Sequence, residues 1–339
     1  MKPIRRTHRV LRALLGAAAA IAVLLASAFA WYATTEVATA PLPLQFGIKP
    51  GSSLRGAALE MQRAGALRHS ALFILMGRVL GESRNVKAGN YELPEPATPY
   101  RLLRKIVYGD VTQATVKFIE GWTFRQLRKA LDDHPELAHI TRDLSDEEIL
   151  NRLGIQEASP EGLFFPDTYH FASGSSDLRV LRRAYRLMES HLDSQWKARL
   201  ADLPLKTPYE ALILASIVEK ETGREDERPM VAAVLVNRLR KGMLLQADPT
   251  VIYGLGESFD GNLRKRDLLR DAPYNTYTRT GLPPTPIAMP GLASLTAALN
   301  PPKSDVLYFV SRGDGSSQFS RTLGEHERAV TKYQRSGRR

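Results

Sequence analysis

The sequence predicts an α+β chain: an N-terminal transmembrane helix, a small β-α-α-β subdomain, and a helix-rich mixed α/β domain. Three observations give this reading. Residues 13–35 carry no charge over 23 positions. Beyond them, apolar residues recur mostly at the helical period, with short alternating runs between. The 339 residues, 43% apolar and 24% charged, suffice for one large or two medium cores.

Residues 1–12 form a basic tail containing Lys2, Arg5, Arg6, Arg9 and Arg12. At about 1.5 Å per residue, the run 13–35 can cross a hydrocarbon core of roughly 30 Å. Trp31 and Tyr32 close it like an interfacial belt. The positive tail favours a cytoplasmic N-terminus, which predicts a single-pass inner-membrane protein with the rest of the chain in the periplasm. Ala28-Phe29-Ala30 also fits a small-x-small cleavage site, so a signal peptide is the rival reading. The apolar run nevertheless exceeds the ~7 to 15 residues usual there. The net charge of +11 lies largely in this tail and in Arg335, Arg338 and Arg339; without these eight residues the excess falls to three. Nucleic-acid binding is therefore not expected.

Residues 36–44 read as an extended Thr/Ala/Pro linker. The subdomain, with its connecting helix, occupies 45–108. It comprises a strand at 45–49, a turn at Pro50-Gly51, helices from Ser52 or Ser53 to Met61 and from Leu72 to Leu80, a returning strand at 86–93, and a helix at 100–108. The larger domain occupies 109–334, with a basic tail at 335–339. It opens with an alternating strand at 112–119 and a turn at Glu120-Gly121-Trp122. Helices follow at 123–131 and 145–153, the latter with a Ser145/Glu148 capping box. Glu161 to Tyr169 reads as an irregular aromatic segment, and 177–200 as a long amphipathic helix. Further helices are expected at 227–241 and 322–333, with a hairpin around Gly313-Asp314-Gly315.

The segment Thr207 to Gly223 carries the strongest chemical signal. Thr207 and Glu210 match a capping box, Pro208 suits the first helical position, and Gly223 suits the C′ position. Eight apolar or small residues, Ala211 to Val218, then deliver Glu219. At about 100° per residue Glu219 shares a face with Leu212, Ala215 and Ser216. Poor solvation on such a face is expected to favour the protonated carboxyl, as a general acid requires. The bland alternative is an ion pair with Lys220 or Arg224 at the helix end, since structural ion pairs are common. Glu221 and Glu225 are expected to solvate the rim.

Residues 242–291 are dense in Pro, Gly, Tyr and amide side chains, as long functional loops are. Stiffly held tyrosines and amides suit sugar binding, although a packed Ω-loop has the same composition. Asp248 is a possible second carboxylate, or an Asp-Pro turn residue. The seven histidines show no metal-binding spacing, and no nucleophile elbow or phosphate-binding glycine loop occurs. His326 reads as a surface or capped histidine. With no cysteine, disulfides, thiolate zinc sites and lipoprotein acylation are excluded. No metal or cofactor is expected.

Several collinear motifs resemble the endolytic murein transglycosylase family (MltG, or YceG-like). They are Leu214 to Thr222, Asn237-Arg238-Leu239, Leu245 to Gly254, and Tyr274-Asn275-Thr276-Tyr277 running through Gly281-Leu282-Pro283-Pro284 to Pro290-Gly291. Glu161-Gly162, Pro166 to Tyr169 and Leu307 to Val310 extend the likeness over nearly the whole chain. The resemblance implies a membrane-anchored periplasmic lyase with a LysM-like subdomain. Such an enzyme cleaves between N-acetylmuramic acid and N-acetylglucosamine within glycan strands, leaves a 1,6-anhydromuramyl end, and so limits nascent strands. It places the catalytic glutamate on Glu219. Gln246, Asp248, Tyr253, Asn275 and Tyr277 are the candidate substrate-binding residues. Peptidoglycan strands are the implied partner, and peptidoglycan synthases are candidate co-workers. A non-catalytic cell-wall or division scaffold remains the alternative; a pyridoxal phosphate lyase using Lys220 would need cytoplasmic substrate, against the anchor.

Overall fold

The computed structural model describes residues 4–37, 41, 43–111 and 113–335. The first expected strand residue, Thr112, residues 38–40 and 42 of the linker, Lys2, and Arg338 and Arg339 of the basic tail lie outside the described residues. Two compact units emerge, Met1–Ala114 with Phe171–Ser175, and Thr115–His170 with Ser176–Arg339.

The first unit begins with α1 (Ile4–Thr34), so the basic tail is helical from residue 4 onward. Its segment Leu14–Thr34 is long and apolar enough to cross a membrane, and its side chains up to Ala28 are exposed. At its foot Phe29, Tyr32 and Ala33 pack into the core of the unit, and Val37 donates its N–H to Ala97 O at 3.3 Å. The order β1 (Leu44–Ile48), α2 (Leu54–Arg63), α3 (Ser70–Val79), β2 (Gly89–Leu93) follows. Strand β1 alternates buried Leu44, Phe46 and Ile48 with exposed neighbours, and pairs antiparallel with β2, Phe46 opposite Tyr91. Ser53 caps α2 by accepting the Gly56 N–H. Helix α4 (Pro99–Tyr108) starts on Thr98, which accepts the Arg101 N–H, and ends on left-handed Gly109. Leu102, Leu103 and Ile106 line the inner side of α4.

The larger unit is mainly helical. Strand β3 (Gln113–Lys117) leads to α5 (Phe124–Asp132) and α6 (Asp146–Leu153), both closed at the start by full capping boxes. The aromatic segment after α6 runs into β4 (Thr168–Ala172), which pairs with β3. No strand was expected there. Helix α7 (Asp177–Lys197) precedes α8 (Pro208–Glu221) and α9 (Arg228–Arg240). Residues 242–291, expected to be loop, contain α10 (Asp248–Leu255) and the short α11 (Lys265–Leu269). Helix α12 (Leu292–Leu299) follows, then the hairpin β5 (Tyr308–Ser311) and β6 (Ser317–Ser320), and α13 (Leu323–Val330).

Helix α8 is the centre of this unit. All eight residues from Ala211 to Val218 are buried, and α7, α9, α10 and α12 pack around it. A helix apolar on every side can only be a core helix in such a setting. Each fully buried Leu or Ile here contributes about 1.5–3 kcal/mol. Thr207 accepts the Glu210 N–H, as the capping signature foretold, but Glu210 reaches back to the Lys206 N–H instead of to Thr207. The other terminus departs further: Thr222 is extended, and Gly223 is not left-handed. The chain leaves α8 as an extended segment, so no C′ glycine turn forms.

Candidate active site

The last turn of α8 holds two carboxyls, Glu219 and Glu221. They are two residues apart, hence about 200° apart around the helix, and meet different surroundings. The Glu219 side chain is only 5% exposed. One carboxylate oxygen lies 3.3 Å from Arg228 Nη2; the other accepts the Gly291 N–H at 3.0 Å and the Ser294 hydroxyl at 2.7 Å. Gly291 is the N-cap of α12 and Ser294 lies in its first turn. Glu219 therefore sits where a helix offers unsatisfied N–H groups and the positive end of its dipole.

This corrects the expectation of an apolar setting. Glu219 does share a face with Ser216, but residues 287–294 run along that face and bring polar groups with them. Ser216 itself accepts the Ile287 N–H at 3.0 Å and donates to Ile213 O. The ion-pair partner also differs from both residues considered. Lys220 Nζ donates to Gly121 O, and Arg224 pairs with Asp226. Arg228, 7% exposed in the first turn of α9, takes their place. Its second carboxylate neighbour is Glu120, at 3.7 Å.

Glu221 faces inward, not the rim. Its neighbours are Asp248, which opposes its charge, and Arg238, which favours it; burial dominates and pushes the carboxyl up to about 8. Asp248 opens α10 and accepts the Tyr277 hydroxyl at 2.5 Å. Arg238 is buried and donates to Leu245 O (2.7 Å), Leu307 O (2.7 Å) and Gln246 Oε1 (3.3 Å). Gln246 is the one non-glycine at positive φ, +51°, among the described residues. Such a conformation costs on the order of 1–3 kcal/mol and persists only where neighbours enforce it. The enforcement is visible: Gln246 N–H bonds Thr276 O, Ala247 N–H bonds Thr276 Oγ1, and Thr276 Oγ1 meets Thr250 Oγ1 at 2.9 Å. Three of the five candidate binding residues, Gln246, Asp248 and Tyr277, are thus brought into one constellation.

The other two stand apart. Tyr253 donates its hydroxyl to Glu161 at 3.1 Å and meets the Tyr274 ring edge-on. Glu161 is buried, also accepts the Phe124 N–H, and is pushed up to about 7, chiefly by burial. Asn275 is buried with its amide spent on its own loop: Nδ2 donates to the carbonyls of Asp267, Leu268 and Arg270, and Oδ1 accepts the Tyr277 N–H. It holds Tyr277 in place. Among the described residues no group of three or more His, Asp or Glu side chains is arranged to hold a metal ion.

A family model described as the YceG-like family matches residues 46–332. The chain belongs to the YceG-like family. The endolytic murein transglycosylase of Bacillus subtilis (strain 168) is 31% identical over 307 residues, covering 86% of this chain and 84% of that protein. The protein of the same name from Streptococcus pneumoniae (serotype 2, strain D39) is 25% identical over 320 residues; the match covers 85% of this chain but 58% of that longer relative. Among solved structures, a YceG-like protein of Listeria monocytogenes superposes with a TM-score of 0.52 at 29% identity, over 85% of this chain and 99% of that one.

Within this YceG-like chain, sequence reasoning gave no site role to Arg228, Glu120, Ser294 or Glu161, and placed Glu221 on the rim. Two signals were present. Ser294 follows Gly291 by three residues at a helix start, where a donor can face an anion. Arg228 lies in the first turn of α9, at the positive end of that helix, where a basic residue gains nothing from the dipole.

Proposed function

We propose that this enzyme is an endolytic peptidoglycan lytic transglycosylase. It is anchored in the inner membrane through residues 13–35 and works in the periplasm on the bond between N-acetylmuramic acid and N-acetylglucosamine inside glycan strands. Family membership and the named relatives make the chain an enzyme of the murein transglycosylase type. The observation that carries the finer reading is the environment of Glu219: a buried carboxyl at the end of a rigid core helix, faced by three donors.

The reaction needs one group that gives a proton and later takes one back. Protonated Glu219 gives its proton to the glycosidic oxygen as the muramyl C1–O bond breaks. The carboxylate left behind is the species that Gly291 N–H, Ser294 Oγ–H and Arg228 stabilise, since charge-assisted bonds are the stronger ones. That carboxylate then removes the proton of the muramyl C6 hydroxyl, whose oxygen closes on C1. A 1,6-anhydro end forms, no water is consumed, and Glu219 regains its proton. The N-acetyl group can assist at C1 in place of a second carboxylate. Gln246, Asp248 and Tyr277, with Tyr253, are assigned to the glycan, and Asn275 to the loop that presents Tyr277. The β-α-α-β subdomain is assigned a LysM-like role in holding the strand, and synthases are the proposed co-workers.

Mass spectrometry of products from purified glycan strands tests the reading. The wild type should release anhydro-ended fragments and Glu219→Gln almost none. Reducing ends, or anhydro products from the variant at an undiminished rate, would overturn it.

A further inference from the structure

A second carboxyl is built in beside Glu219. Glu120 lies in the turn between β3 and α5, which is clamped by three bonds. Gly121 N–H donates to Met289 O at 2.9 Å, Met289 N–H to Trp122 O at 2.8 Å, and Lys220 Nζ to Gly121 O at 3.2 Å. So held, Glu120 Oε2 comes within 3.7 Å of Arg228 Nη2, the nitrogen that stands 3.3 Å from Glu219. Gly291 makes the room. A Cβ at that position would lie 1.9 Å from Glu120 Oε1. Its φ of −77° asks for no glycine; what the missing side chain gives is room for the Glu120 carboxyl in this position. The same Gly291 gives its N–H to Glu219.

The groups facing Glu120 are Glu219 from α8, Arg228 from α9 and Glu225 from the connecting segment; the Lys220 ammonium is turned to Gly121 O. Burial, then the charge of Glu219, push the Glu120 carboxyl upward, and Arg228 opposes them. With both carboxyls ionised, one guanidinium faces two negative charges. Arg228 Nε is buried with no partner, so the guanidinium is not fixed by a full set of bonds.

We propose that Glu120 is a positioning partner of Glu219: the two carboxyls compete for Arg228, and the charge on Glu120 keeps the guanidinium from closing fully on Glu219. This rests on Glu219 being the proton donor. Glu120 acts through Arg228 and is a positioning residue.

The test is the pH profile of the full chain in detergent on purified glycan strands. Without the competing carboxylate Arg228 turns wholly to Glu219 and favours its charged form, so activity should be lost at lower pH. Glu120→Gln should move the limb on which activity falls with rising pH acidward by about one unit, the size of effect a close charge produces. kcat at neutral pH should fall about tenfold, the rate equivalent of one unit, while KM changes less than about twofold. An unmoved limb, or a raised KM with unchanged kcat, would overturn the partnership. Should the amide variant fail to fold, Glu120→Asp carries the test. Withdrawing the charge by one methylene should shift the limb by a fraction of a unit, and no shift overturns the proposal. Glu219→Gln, run alongside, separates the two readings. If it stays active, the catalytic assignment falls; if it is inactive while the Glu120 variants keep the wild-type limb, only the partnership falls.

Discussion

Glu219 and Glu221 leave the same helical turn, yet one is met by donors and the other by a second acid. Glu219 faces Arg228, Gly291 N–H and Ser294. Glu221 faces Asp248, with Arg238 favouring its charge, and burial pushes it up to about 8. The side chains are identical, so what distinguishes them is what later segments of chain bring to each face. Environment assigns roles to like carboxyls.

The largest effect should come from breaking the contrast at its catalytic end. Glu219→Gln should lower kcat about a thousandfold, within the range for a general acid or base. It should also destabilise by about 1–3 kcal/mol, because the amide NH2 now meets donors and leaves a buried bond unmade. The Glu221→Gln variant, by contrast, should keep activity within about twofold at pH 6, where the wild-type carboxyl is already mostly protonated. Equal losses in the two variants would erase the distinction.

Next in size is Ser294→Ala. It removes the 2.7 Å bond to the Glu219 carboxylate. A hydrogen bond to a charged group is worth about 1.5–3 kcal/mol. If the donor acts on the carboxylate left after proton transfer, kcat should fall at least about tenfold with KM little changed; a rise in KM alone would assign Ser294 to substrate binding.

The smallest and most specific effect is the pH dependence of stability. The folded value of Glu221 lies above the ordinary 4.5. The stability it contributes is therefore complete below about pH 4.5 and is lost as pH rises through about 8. Glu221→Gln should match the wild type in Tm near the acid end of this window and exceed it near the basic end. A Tm gap that narrows with rising pH would show that Glu221 is ionised in the fold.

The two carboxyls also show how far the sequence reaches. Helix α8, its Thr207 cap and its apolar run were legible because they are local patterns. The partners of its last turn were not: Arg228 lies nine residues on, Gly291 and Ser294 more than seventy, and only folding brings them together. Gly223 misled because a glycine after a helix usually turns left-handed, whereas here the chain continues extended from Thr222. Residues 242–291 misled in the opposite sense. Pro249 looked like loop punctuation, yet Asp-Pro at the first two positions starts α10. The β-α-α-β order was readable from alternation and caps, while β4 was hidden in an aromatic run with no clean period. Of the candidate binding residues, Asn275 shows the limit of reading composition, since a buried amide serves its own loop as readily as a sugar.

Position 291 has a consequence for variation. Its backbone serves one acid and its missing side chain admits another, so a single added methyl group would displace Glu120 and leave the N–H to Glu219 in place. Gly291→Ala should therefore keep the fold and the bond to Glu219 while turning the half-exposed Glu120 side chain outward, so that one methyl group reads out the acid it displaces.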